Sequence, residues 1–137
     1  MPIATHNEQL VRDFFAGMGP TLEDFKRTYR ERMTDDVVWE TVGLPPHEGL
    51  EACIAYLDDL HSRTGMEYCT IDVLHLACSG DVVLSERVDT MHRADGSQIM
   101  AFRLMGAIDV RDGRIARYTD YLDTAPVRQG MSAGPSA

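Results

Sequence analysis

Apolar residues recur at helical spacing through the first half of the chain. Leu10, Phe14 and Phe15 share one face of a helix predicted over residues 7–17, because side chains three to four positions apart align on an α-helix. The segment 17–20, which contains two glycines and a proline, ends this helix. The chain is therefore predicted to begin with an amphipathic helix.

Two more helices are predicted before the midpoint of the chain. Thr21 is a suitable N-cap, and Asp24 stands at the third helical position, so a capping box opens a helix that continues to about Met33. A further helix begins near Gly49 and ends near Gly65, with apolar residues at helical spacing between them. The first half is thus predicted to be mainly helical.

Runs rich in β-branched and aromatic residues predict strands. A short strand covers residues 36–41 and contains Trp39. Turn-forming residues divide the second half into four longer runs, at 66–78, 82–93, 97–111 and 114–122. Because short loops join antiparallel neighbours, we predict an α+β fold in which three N-terminal helices pack on a curved, mostly antiparallel sheet that encloses a pocket.

Length and composition set the domain organisation. The 137 residues fit one domain, which we place at residues 1–126, followed by a small, polar and flexible tail at 127–137. Hydrophobic residues make up 44% of the chain and charged residues 26%, which is typical of a globular protein.

Charge narrows the classes of partner. The formal net charge of −9 argues against a nucleic acid or an anionic membrane and favours an uncharged, hydrophobic small molecule. The sequence begins without a signal-peptide pattern and has no apolar run of about 18 residues, so we expect a cytoplasmic protein. The cysteines and histidines lack ligand spacing, and we expect neither a metal nor another cofactor.

The candidate chemistry lies in two of the strand-like runs. Arg87 and Asp89 are two positions apart, so a regular strand places both side chains on one face of the sheet. Asp120 lies in a later run and can share a cavity with them. Such a cluster suits acid/base chemistry at a substrate oxygen, because one carboxyl can donate a proton while an arginine keeps the other ionised.

An arginine and an aspartate two apart on a strand can equally form a surface ion pair, and that alternative stays open. Asp120 favours a buried site, because its neighbours on the same strand face, Tyr118 among them, are apolar. Phe102 and Leu104 belong to an apolar run with residues on both faces, so one face of that strand is expected to line the pocket.

Residues 86–89, Glu-Arg-Val-Asp, together with the late Tyr-x-Asp-Tyr-x-Asp at 118–123, resemble the limonene-1,2-epoxide hydrolase family. The order of elements is similar to the cone-shaped fold of nuclear transport factor 2 and ketosteroid isomerase. The resemblance implies opening of an epoxide in one step without a covalent enzyme intermediate. It implies that Asp89 protonates the epoxide oxygen, that Arg87 bridges the carboxylates, and that Asp120 deprotonates the attacking water.

The chain departs from that family at the early strand. The family usually has a tyrosine and an asparagine, two apart, that help to hold the water, where this chain has Trp39 and Thr41. A hydroxyl both donates and accepts hydrogen bonds, whereas an indole N–H only donates. Thr41 can therefore replace part of the network and Trp39 cannot copy a phenol.

Several functions are compatible with this fold. The favoured one is hydrolysis of a hydrophobic epoxide by a homodimer that pairs through the outer face of its sheet. The alternatives are an epoxide-opening cyclase, a polyketide cyclase or ketosteroid-isomerase-like enzyme, and a ligand-binding module without catalysis. An arginine between two carboxylates favours epoxide opening, because enolisation has no evident need for it, and a binding module has no need of carboxylates that are costly to bury.

Overall fold

The computed structural model describes residues 3–133 and has an α+β architecture. Its helices are α1 (Ile3–Ala16), α2 (Leu22–Arg32), α3 (Leu50–Thr64) and α4 (Ala125–Ala133). Its strands are β1 (Met33–Thr41), β2 (His47–Glu48), β3 (Tyr68–Ser79), β4 (Val82–His92), β5 (Gln98–Arg111) and β6 (Arg114–Tyr121). The three N-terminal helices and the four long strands of the second half confirm the predicted order of elements.

Local sequence signals account for the helix ends. The Thr21 hydroxyl accepts a hydrogen bond from the Asp24 amide at 3.1 Å, and the Asp24 carboxylate accepts one from the Thr21 amide at 3.2 Å, which is the predicted capping box. Helix α3 ends at Gly65, whose φ of +80° is a left-handed conformation that glycine adopts without strain.

None of the helices in the described part of the chain has both the length and the apolarity needed to cross a membrane.

The six strands form one sheet in the order β2-β1-β6-β5-β4-β3. Every adjacent pair is antiparallel except β1 and β6, which run parallel. The helices cover one face of the curved sheet, and the core between the two layers contains Phe14, Phe25, Tyr29, Val37, Leu57, Ile108 and Ile115. The wide curve leaves a cavity between the sheet and the helices.

The end of the chain differs from the flexible tail predicted at 127–137. Helix α4 occupies part of that segment, and the Asp123 carboxylate accepts a hydrogen bond from the Ala125 amide at 3.1 Å at its beginning. Val127 packs against the hydrophobic core and also lines the cavity. This apolar contact was not visible in the local composition, which is small and polar. Residues 134–137 lie outside the described residues.

Candidate active site

Arg87 lies at the centre of a buried ionic cluster. Its side chain is fully buried, and its Nε and Nη2 atoms donate to the two carboxylate oxygens of Asp89 at 2.9 and 3.1 Å. Nη2 also donates to Oδ1 of Asp120 at 2.6 Å. The three residues named from the sequence therefore meet, and the alternative of a surface ion pair does not apply to them.

Strand register brings the three side chains together. Arg87 and Asp89 project from β4 to the helix-covered face, where they pair with Leu104 and Phe102 on β5. On the other side of β5, Asp120 of β6 pairs with Gly106. Arg87 and Asp120 therefore stand on strands that are separated by β5, and the guanidinium has to reach across it.

Gly106 makes that reach possible. A Cβ atom at this position would overlap Nη1 of Arg87 and lie 2.9 Å from Oδ1 of Asp120. Gly106 was not predicted as a site residue from the sequence, although an isolated glycine inside a strand is a known sign of a close approach. Ser85 was not predicted either, and its buried hydroxyl accepts a hydrogen bond from Nη1 of Arg87 at 3.0 Å. Its position two residues before Arg87 was the available signal.

Aromatic rings surround the guanidinium. Cζ of Arg87 lies 4.7 Å from the centre of the Phe15 ring and 5.5 Å from that of Tyr118. The Tyr118 hydroxyl accepts a hydrogen bond from Nη2 of Arg87 at 3.2 Å. The Tyr118 ring in turn stacks on Trp39, with 5.8 Å between centres and 8° between planes. The cation is thus held rigidly by rings as well as by carboxylates.

The cluster opens into a largely apolar cavity between the sheet and the helices. The sheet residues that line it include every predicted substrate- or water-binding residue: Trp39, Thr41, Phe102, Leu104 and Tyr118, together with Asp89 and Asp120. Residues from helices α2 and α3 complete the wall, among them Phe25, Tyr29, Tyr56, Leu57 and Leu60. Helical spacing predicts the helices that carry these residues, but it does not predict that the residues face the strands.

Burial dominates the electrostatics of the two carboxyls. Together with the charge of Asp89, it raises the pKa of Asp120 to about 6, against the opposing effect of Arg87. Burial also raises the pKa of Asp89, again opposed by Arg87. Two ionised carboxylates beside one guanidinium carry a net negative charge, so the pair tends to hold one shared proton.

A carboxylate oxygen of the cluster that has no hydrogen-bond donor indicates acid/base chemistry. Both oxygens of Asp89 accept from Arg87, whereas Asp120 uses Oδ1 alone, and no described residue donates to its Oδ2. Thr41 is the register partner of Asp120 on the parallel strand β1, and Trp39 is that of Tyr118. An oxygen atom next to Asp120 Oδ2 would therefore lie close to Thr41. Glu40 points to the opposite face, as its parity predicts, and binds Arg117 at 2.8 Å.

Within the described part of the chain, no group of three or more histidine, cysteine, aspartate or glutamate residues could hold a metal ion. The polar groups of the cluster and of the sheet residues that line the cavity are carboxyl, guanidinium, phenol, indole and hydroxyl groups.

Comparison with known proteins places this geometry in context. The family model of the limonene-1,2-epoxide hydrolase catalytic domain matches residues 5–132. The chain is 30% identical over 112 residues to epoxide hydrolase EphG of Mycobacterium tuberculosis, covering 82% of this chain and 71% of that protein.

Solved structures share the fold. An LEH-like epoxide hydrolase from M. tuberculosis superposes with a TM-score of 0.75 at 23% identity, covering 96% of this chain and 89% of the other. A protein from Jannaschia sp. CCS1 described as a SnoaL-like polyketide cyclase superposes with a TM-score of 0.76 at 20% identity, covering 97% and 96%. At these identities the structural likeness carries the fold alone.

Proposed function

We propose that the chain, which belongs to the limonene-1,2-epoxide hydrolase family, opens a hydrophobic epoxide with water in one general acid/base step. The observation that carries this proposal is the fully buried Arg87 between two carboxylates at the wall of an apolar cavity. Ionised groups are costly to bury, and a site that only bound an apolar ligand would gain nothing from them.

The roles of the two carboxyls follow from their free atoms. Asp120 has an oxygen without a donor, and a pKa near 6 suits a group that must take a proton and release it again in each cycle. Asp89 is buried next to the same guanidinium, and burial raises its pKa too, so this carboxyl can carry a proton for the epoxide oxygen. We therefore assign Asp120 as the base and Asp89 as the acid.

The proposed reaction is a single step in which water attacks and the epoxide oxygen is protonated. Water loses one proton to Oδ2 of Asp120 while its oxygen forms a bond to an epoxide carbon. The bond between that carbon and the epoxide oxygen breaks, and the oxygen takes the proton of Asp89. The product is a diol, Asp120 is left protonated and Asp89 ionised, and the proton returns to Asp89 through solvent before the next turnover. Arg87 stays charged throughout and stabilises whichever carboxylate is ionised.

Single turnover in ¹⁸O-labelled water tests this mechanism. We expect the label in the diol and none in the protein, because water itself attacks the carbon. Label recovered in peptides that contain Asp89 or Asp120 would show an ester intermediate and contradict the one-step route. Enzyme in excess over substrate is required, so that each protein molecule reacts once.

A hydroxyl group tethered within the substrate is a second candidate nucleophile. The specific observation is the indole at position 39, whose Nε1 is buried without a hydrogen-bond partner among the described residues and cannot accept a proton from water. A tethered hydroxyl needs less help, because both reactants are already in one molecule. The structural likeness to a protein described as a polyketide cyclase is compatible with ring formation.

The two nucleophiles can be compared directly on a simple cyclic epoxide and a hydroxy-epoxide. If the tethered hydroxyl is the natural nucleophile, the wild type forms a ring from the second substrate and hydrolyses the first slowly, and the double variant Trp39→Tyr, Thr41→Asn hydrolyses the first faster. Brisk hydrolysis of the simple epoxide with no cyclised product would support water instead.

We also propose that the protein forms a homodimer through the outer face of its sheet. Leu84, Met105 and Tyr121 lie near one another on that face, on neighbouring strands, and are 41%, 52% and 54% exposed, so they form an apolar patch. Light scattering after size-exclusion chromatography tests this proposal. A dimeric wild type and a monomeric Met105→Glu variant are expected, and a monomeric wild type at micromolar concentration would contradict the proposal.

A further inference from the structure

The Tyr29 side chain belongs to helix α2 and reaches the cavity from the side opposite the sheet. The residue is only 1% exposed, and its ring packs edge-on against Trp39 with 5.4 Å between centres. The ring also contacts that of Phe14, with 5.4 Å between centres. The capping box at Thr21 fixes the beginning of the helix, so both packing and local structure hold Tyr29 in place.

The hydroxyl of Tyr29 differs from those of the other tyrosines in the cavity wall. The Tyr118 hydroxyl binds Arg87, and that of Tyr56 binds Arg63. Tyr29 lines the same cavity, yet its hydroxyl makes no hydrogen bond to any described residue. Among the described residues, the indole nitrogen of Trp39 is a fully buried polar atom without a hydrogen-bond partner. The Tyr29 hydroxyl is not fully buried in this way, so it faces the open space of the cavity.

Tyr29 contacts strand β1 close to the residue that pairs with Asp120. Its ring lies against Trp39, which is two residues before Thr41 on β1, and Thr41 is the register partner of Asp120. Burial raises the pKa of Tyr29 well above its ordinary value, and the Asp120 charge is among the further contributions. A phenol that is free to form hydrogen bonds thus lies in the neighbourhood of the carboxylate oxygen that has no donor.

We propose that Tyr29 is a positioning residue that holds the nucleophilic oxygen against Oδ2 of Asp120. A water molecule at that place donates one hydrogen bond to Asp120, which later takes that proton. It donates its other hydrogen bond to the phenol oxygen of Tyr29, and one lone pair of the water is then directed at the epoxide carbon. Helix α2 thereby supplies the phenol that strand β1 lacks at Trp39.

This inference rests on the proposed epoxide opening and makes a separate prediction about rate and binding. Tyr29→Phe removes one oxygen atom and keeps the ring, so the packing against Trp39 and Phe14 is retained. We expect kcat for hydrolysis of a cyclic epoxide to fall about 10- to 100-fold, because misplacement of the water affects only the chemical step. KM should change less than about threefold, since the apolar wall that binds the substrate is unchanged.

Stability distinguishes a positioning role from a structural one. The Tyr29 hydroxyl has no hydrogen bond to lose within the described residues, so Tyr29→Phe should melt at the temperature of the wild type or slightly above it. Tyr68→Phe is the matched control, because Tyr68 stacks on His92 at 4.7 Å and does not line the cavity. This control should keep the wild-type kcat.

The outcomes separate this inference from the proposed function. If the wild type hydrolyses the epoxide, Asp120→Asn abolishes the activity, and Tyr29→Phe stays within twofold of the wild-type kcat, the role of Tyr29 is overturned and the proposed function stands. A loss of kcat in Tyr29→Phe that is accompanied by an equal rise in KM or by a lower melting temperature would also overturn it. A wild type without hydrolysis of any epoxide would overturn the proposed function, and this inference with it.

Discussion

Asp89 and Asp120 accept hydrogen bonds from the same nitrogen atom, Nη2 of Arg87, at 3.1 and 2.6 Å. They stand on strands β4 and β6, which are not neighbours because β5 lies between them. The guanidinium of Arg87 therefore links the two carboxylates. Protonation of one carboxyl and ionisation of the other are therefore coupled.

Replacing either carboxyl by its amide should stop the chemistry and preserve the fold. We expect Asp89→Asn and Asp120→Asn each to lower kcat by about 10²-fold or more, which is the usual effect of losing a general acid or base. Steady-state kinetics on one epoxide gives the rate, and circular dichroism checks that the variants are folded. Turnover near the wild-type value in either variant would refute the assignment.

Azide separates the two roles. It attacks as an anion and needs no base, whereas the epoxide oxygen still needs an acid. Asp120→Ala with azide should therefore regain opening, with an azido alcohol as the product, and Asp89→Ala should not. Recovery of Asp89→Ala alone would reverse the roles of the two residues.

Removal of the arginine should damage stability as well as rate. Arg87→Ala leaves two carboxyls buried without their cation, which costs about 3–5 kcal/mol in free energy of unfolding when a buried partner is lost. Urea denaturation measures this cost. Arg111→Ala is the matched control, because Arg111 pairs with Asp36 at 2.6 Å on the surface and its side chain is 55% exposed. The control should unfold near the wild-type midpoint, and equal stability of both variants would argue against a buried cluster.

Gly106 should tolerate no side chain. In Gly106→Ala the added methyl group meets Nη1 of Arg87, so the guanidinium has to move away from Asp120. We expect kcat to fall at least about 10²-fold, together with a lower melting temperature. Ala107→Ser on the same strand also adds one atom but points to the opposite face, and it should behave as the wild type does. Wild-type activity in Gly106→Ala would mean that the position of Arg87 is not critical.

The pH dependence of kcat/KM should follow the shared proton. Both carboxyl pKa values are raised by burial, that of Asp120 to about 6, so the free enzyme loses its last shared proton near that pH. Because the acid must be protonated, we expect kcat/KM to fall as the pH rises above about 6. It should fall again at lower pH, where the second carboxyl takes up a proton and no base remains. A profile that is flat from about pH 5 to 9 would contradict a titrating pair.

Local sequence patterns were sufficient to predict which residues share a strand face and where the elements lie. Period-2 alternation placed Arg87 and Asp89 together, and the turn formers divided the strands, because both effects act over a few neighbouring residues. Thr21 and Asp24 marked a helix start for the same reason.

The contacts between distant segments depend on how the elements pack in three dimensions. Asp120 meets Arg87 across 33 positions of sequence because the registers of β4, β5 and β6 align over Gly106, and register is a property of the assembled sheet. Tyr29 lines the same cavity because α2 packs against the sheet, with the Tyr29 ring in contact with Trp39. Helix α4 is fixed in part by Val127 against the core, whereas its local composition had predicted a flexible tail. Local patterns predict the type of each element and which of its residues share a face. Contacts between distant segments depend on how whole elements pack, and a local pattern contains no information about that packing.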